Sequence, residues 1–228
     1  RPMVVARRAI GQPRGGRNRL LVLAPHPDDE TLGAGGLIRQ SVGEGWYAGT
    51  LFLTDGGASH PDREAGARAR LIRARRREAR RALSCLTGRV EPLPEMLGWR
   101  DAHPFAPESV RWRATVRRVC AWCRRHRVGM IAVSSIVDTH CDHVAAAQLA
   151  REVAGQNRGA IRVLEYAIWS QRARATRASR CSRPLPAGIR RRALAAHRSQ
   201  RSAVYGAGFR LPFDAGWTAR ADFLEKVA

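Results

Sequence analysis

Three short apolar runs punctuate an otherwise highly charged chain: Leu20–Ala24 (LLVLA), Gly49–Thr54 (GTLFLT) and Gly129–Ser134 (GMIAVS). Runs this short, apolar at consecutive positions rather than alternating ones, predict strands buried on both faces. Ile161–Trp169 is a further strand candidate. The segments between them change period. Leu32–Gly43 reads as a helix, with Gly33, Gly35 and Gly36 permitting close packing near its start. Residues 64–87 place Leu71, Ile72, Ala79, Leu83 and Leu86 on one apolar stripe that Gly88 closes, an amphipathic helix. Helices are also expected over Pro107–Arg127, over His140–Val153 with Asp138 or Thr139 as cap and Gly155 as stop, over Gly188–Ser202, and briefly near Asp222–Val227. The Pro-rich stretch 89–107 and the Arg/Gly-rich lead-in 1–18 carry no period and are expected to be irregular. Strands alternating with helices predict an α/β fold: a Rossmann-like, three-layer single domain over 19–228 with a mostly parallel sheet.

Ligands of open sheets of this kind sit beyond the carboxyl ends of the strands. The polar clusters obey that rule. His26-Pro27-Asp28-Asp29-Glu30 follows the first strand, Asp55–His60 the second, and Asp138-Thr139-His140-Cys141-Asp142-His143 the third. Adjacent buried carboxylates repel, so holding them together calls for a compensating cation. At a helix start, His140 and His143 are three residues apart and share a face. One imidazole from this pair, His26 and one Asp would give the three-ligand pattern of a catalytic zinc with an open position, although oxygen and nitrogen donors suit other divalent metals too. Zinc lowers the pKa of bound water from roughly 16 to about 7. A second carboxylate can take the proton and return it to a leaving amine, while the remaining histidine faces the developing oxyanion. That inventory describes amide hydrolysis.

The run LVLAPHPDDETLGAGGLI (Leu21 to Ile38), then TDGGASHP (Thr54 to Pro61) and HxDH (His140 to His143), resembles the PIG-L/LmbE family of N-acetylglucosamine deacetylases. Arg75-xx-Glu78, Leu97–Asp101 and His197-Arg198-Ser199-Gln200 match as well. The resemblance implies zinc held by His26, Asp29 and His143, with Asp28 as general base and later acid. It further implies that His140 stabilises the oxyanion, that Asp142 orients His140, and that Arg75 and Asp101 contact the sugar. Where the family usually has Pro, this chain has Cys141.

Composition refines the picture without overturning it. The chain has 228 residues, 44% hydrophobic and 26% charged, ample for one sizeable soluble domain. No apolar run reaches the length of a membrane span, and no charged-then-apolar signal segment follows Arg1. The five scattered cysteines argue for a reducing compartment, the cytoplasm, rather than a disulfide framework. The net charge is +22 and Lys226 is the only lysine. So much arginine partly reflects composition bias, yet its field favours an anionic aglycone on an amino-sugar substrate. It also raises a nucleic-acid-binding alternative, which no recognition motif supports; another metal-dependent hydrolysis on the same scaffold is the third reading. Cys120-xx-Cys123 with His126 lies at helical spacing and is expected in the core. The run Arg75-Arg76-Arg77 is expected to be a solvated helix face, with Arg75 the exception, and His60 and His103 exposed loop residues. The tryptophans are expected mainly in the core, with Trp99 a candidate wall for a sugar.

Overall fold

The computed structural model describes residues 9–61, 65–169, 180–211 and 221–227. Its centre is a seven-stranded sheet in the order β3-β2-β1-β4-β5-β7-β6. The strands are β1 (Arg19–Ala24), β2 (Tyr47–Thr54), β3 (Glu95–Trp99), β4 (Val128–Ser134), β5 (Arg162–Tyr166), β6 (Arg180–Cys181) and β7 (Phe223–Lys226). The first five pair in parallel, and β7 runs antiparallel to both β5 and β6. The helices are α1 (Asp29–Gly43), α2 (Ala67–Thr87), α3 (Val110–Arg125), α4 (Cys141–Gln156) and α5 (Ile189–Ala196).

The strand alternation divides the core in two. Leu20, Val22 and Ala24 of β1 face the cluster built with α1, α2 and α5, whereas Leu21 and Leu23 face the cluster built with α3 and α4. That is the expected three-layer α/β arrangement, and it explains why β1 is apolar at every position. Close packing does require glycine on α1: a Cβ on Gly33 would lie 2.0 Å from the Tyr166 ring. α3 is capped by Ser109, whose hydroxyl accepts from the Trp112 amide.

Three expectations need correction. The Pro-rich stretch 89–107 contains β3, an edge strand paired to β2 alone. The tail forms a strand, β7, rather than a helix, because pairing with β5 satisfies its backbone. The lead-in, of which residues 1–8 lie outside the described residues, forms no helix or strand over 11–18 and is anchored at Ile10. Ile10 is 2% exposed and its carbonyl accepts from the Gln40 side chain. Finally, the residue capping α4 is His140, whose side chain accepts from the Asp142 amide, and neither Asp138 nor Thr139. Among the described residues, no helix is long and apolar enough to cross a membrane.

Candidate metal centre and catalytic site

Between β1 and β4 the chain order reverses: β2 and β3 lie to one side of β1, β4 and β5 to the other. A crevice opens at such a switch point. There the turn after β1, the loop after β2 and the start of α4 enclose a cavity of about 390 Å³ lined by His26, Asp28, Asp29, Arg75, Asp101, His140 and His143, among others.

The side chains at its floor are buried and mutually bonded. The Asp29 carboxylate Oδ2 lies 3.2 Å from His26 Nδ1 and 3.3 Å from His143 Nε2. Behind these imidazoles stand further carboxylates. His143 Nδ1 is 2.9 Å from Asp138 Oδ2, and His26 Nε2 is 3.0 Å from Asp142 Oδ2 and 3.2 Å from Asp101 Oδ1. An imidazole with one nitrogen towards the centre and the other on a carboxylate is the usual support of a metal-ligating histidine. By mutual distance within 4.8 Å the donor atoms form two other groupings, His26 with His140 and His143, and His26 with Asp101, His140 and Asp142. The donor set, imidazole nitrogen and carboxylate oxygen, fits a divalent metal. The His/Asp cluster therefore marks a metal site.

Electrostatics agree. Burial alone would lower the proton affinity of His143, but Asp29 and Asp138 outweigh it and push its pKa up to about 9. Burial likewise works against a charged His26, yet hydrogen bonds to Asp101, Asp142 and Asp29 raise it well above the ordinary value. Burial would raise the Asp29 carboxyl, but His143 and His26 hold it well below the usual range. The centre thus attracts positive charge. His140 goes the other way: burial and the neighbouring imidazoles lower it, so it favours the neutral ring.

Asp28 is held in an uncommon backbone geometry, φ 145°, worth about 1–3 kcal/mol of strain for a non-glycine residue. Several bonds fix it there. Its amide donates to Glu30 Oε2 at 2.8 Å, its carbonyl accepts from Thr31 and Leu32, and Arg75 donates to both the Pro27 carbonyl and the Asp28 carboxylate. Burial raises the Asp28 carboxyl against the pull of Arg75, to about 6.

The structure brings every site residue singled out from sequence to this one rim, with differences in contact. The Asp142 carboxylate bonds His26 and the Ala102 amide, at 3.0 and 2.8 Å, and lies 4.0 Å from the His140 ring. Its backbone amide, rather than its carboxylate, contacts His140 Nδ1. Arg75 is 3% exposed and also donates to the Gly56 carbonyl, while Arg76 and Arg77 are exposed. Trp99 is not a cavity wall: it is wholly buried, packed on Phe105 and Trp112, with its Nε1 donating to Thr115. Trp169 lines the cavity instead; Trp217 lies outside the described residues. His60 is buried at 7% exposure rather than exposed. Cys120 and Cys123 are core residues, as expected.

Sequence reasoning missed the supports. Asp138 orients His143, Glu30 holds the Asp28 amide, and His197 Nε2 sits 3.3 Å from Glu30 Oε1. Burial of Glu30 and His197, both essentially complete, is the property that distinguishes them, and only the fold reveals it.

A family model described as PIG-L, the GlcNAc-PI de-N-acetylases, matches residues 21–154, more than half of the chain. The chain belongs to the PIG-L family. In class, this PIG-L protein is an N-deacetylase. No curated protein matches it significantly by sequence. Among solved structures, an N,N'-diacetylchitobiose deacetylase from Pyrococcus horikoshii superposes with a TM-score of 0.62 at 20% identity, covering 81% of this chain and 71% of that one. The teicoplanin deacetylase Orf2, in its zinc-inhibited form, gives 0.62 at 16% identity over 92% and 98%. A 4-carboxy-2-hydroxymuconate hydratase, GalB, from Pseudomonas putida KT2440 gives 0.59 at 18% over 92% and 96%. Likeness at these identities speaks to the fold alone, and the hydratase makes the reason plain: one scaffold hosts different reactions.

Proposed function

We propose that this protein removes the N-acetyl, or a related N-acyl, group from a GlcNAc-type amino sugar or its conjugate, using zinc held by His26, Asp29 and His143. One observation carries the reading: Asp29 Oδ2 stands 3.2 Å from His26 Nδ1 and 3.3 Å from His143 Nε2, and Asp28 lines the same cavity. The grouping that replaces Asp29 with His140 is less favourable, because His26 and His143 each keep an outer carboxylate and His140 has none within hydrogen-bond reach. When bound, the ion supplies Lewis acidity and activates water towards an amide carbonyl.

The chain's own residues do the rest. Asp28, aimed by Arg75 and its strained backbone, takes the proton of the attacking water and returns it to the leaving amine. His140 accepts at Nδ1 from the Asp142 amide, so its neutral ring carries the hydrogen on Nε2 and donates it to the developing oxyanion. Asp142 acts on His140 through that amide and on His26 through its carboxylate. Arg75 and Asp101 line the cavity as sugar contacts. The net charge of +22 supports an anionic aglycone, and five cysteines without a disulfide support a reducing compartment such as the cytoplasm.

The test is product analysis. Zinc-loaded protein incubated with GlcNAc and a panel of conjugates should release acetate and free amine in equal amounts. A metal-loaded protein that releases neither from any member, while hydrolysing another amide or ester, would transfer the site to the competing hydrolase reading.

A further inference from the structure

The deacetylase reading accounts for the polar side of the cavity and leaves its other side unused. Trp169 and Phe209 line the same cavity, edge to face, with ring centroids 5.6 Å apart and an interplanar angle of 89°. Phe209 is 43% exposed, so its ring is presented at the mouth and not spent on the core. The pair is also fastened to the reaction centre. The Phe209 amide donates to the Ser59 carbonyl at 2.8 Å. The Trp169 amide donates to Asp138 Oδ1 at 3.2 Å, and the other oxygen of that carboxylate bonds His143 Nδ1. One buried carboxylate thus bonds both a proposed metal ligand and the backbone that carries the Trp169 ring.

A bare amino sugar presents hydroxyls and one amide, matched by Asp28, Arg75 and Asp101. The C–H face of a sugar covers one ring, and two rings set edge to face offer more apolar surface than that face fills. We infer that Trp169 and Phe209 form a specificity subsite for an apolar, aryl-sized group attached beside the scissile amide, either on the anomeric oxygen or in place of the acetyl methyl. The inference rests on the deacetylase reading and adds the class of substrate. Offset and edge-to-face ring contacts supply the recognition, and a cavity of about 390 Å³ lies within the roughly 300–1,000 Å³ typical of sites that enclose organic ligands.

The experiment compares kcat/KM of the zinc-loaded protein on GlcNAc, benzyl β-GlcNAc and N-benzoylglucosamine, with Trp169→Ala and Phe209→Ala alongside. One aryl substrate should exceed GlcNAc by about tenfold, mainly through KM, as expected for filling an apolar subsite. Phe209→Ala should lower that aryl substrate more than it lowers GlcNAc. Preference for the glycoside assigns the group to the anomeric oxygen, and preference for the benzamide assigns it to the acyl side. Equal rates on all three substrates overturn the subsite while the deacetylase reading stands. Equal losses on all three in both variants make the pair a platform for the sugar itself, and also overturn it. Calorimetric binding to the metal-loaded protein separates the remaining case: tighter binding of an aryl compound without turnover keeps the subsite and removes the deacetylase reading, and no difference in binding overturns the subsite.

Discussion

The rim that carries the chemistry and the C-terminal third that braces it are built on opposite principles. The rim is local: His26 to Glu30 and Asp138 to His143 lie in two short stretches, each directly after a buried strand. The brace is long-range. His197 reaches Glu30, the Ser199 amide and hydroxyl donate to Glu78, and Arg190 of α5 donates to the Thr31 and Leu32 carbonyls while pairing with Asp222 beside β7. The first region exposes ligands and a base to a cavity. The second buries the charges of these contacts and presents none of them to the cavity. Reactive groups are thus held in a strained turn because a separate part of the chain over-determines that turn.

The two regions should fail differently. His143→Ala should have the largest effect, losing stoichiometric metal and all amine release while circular dichroism reports an intact fold. Asp28→Asn should keep the metal, measured by atomic emission, and lose about 10²–10⁴-fold in kcat. Retained turnover there would break the base assignment. Arg190→Met should act mainly on stability. It strands the buried Asp222 carboxylate and should cost about 3–5 kcal/mol in urea unfolding, with metal stoichiometry kept and a loss of kcat, through the loosened Asp28 turn, smaller than that of Asp28→Asn. Asp138→Asn sits between the regions and should weaken metal affinity about 10–100-fold in a chelator competition. Arg77→Ala, on the solvated face of α2, should stay within about 0.5 kcal/mol of the parent; a larger loss would mean that face is engaged after all.

The same contrast decides what could be read from sequence. β1, β2 and β4 are legible because burial on both faces demands consecutive apolar residues, and the rim is legible because its ligands lie in two short stretches, each directly after such a strand. β3 was hidden by Pro92 and Pro94 and by its position at the sheet edge, where only Leu97 and Trp99 need be buried. β7 has no period of its own in its short charged segment, so the sequence predicts a helix there, and pairing with β5 supplies the strand. Trp99 and Trp169 are indistinguishable by residue type. One lies under α3, the other follows β5 at the rim, and only the packing separates them. The brace was least legible of all, because a His197–Glu30 contact between distant parts of the chain leaves no local signature.

The most direct measurement is amine release from GlcNAc conjugates by the metal-loaded protein, before chelation, after chelation and after zinc is restored. The account predicts one metal per chain, activity that disappears on chelation, and recovery with zinc. Deacetylation that persists in fully metal-free protein would contradict it.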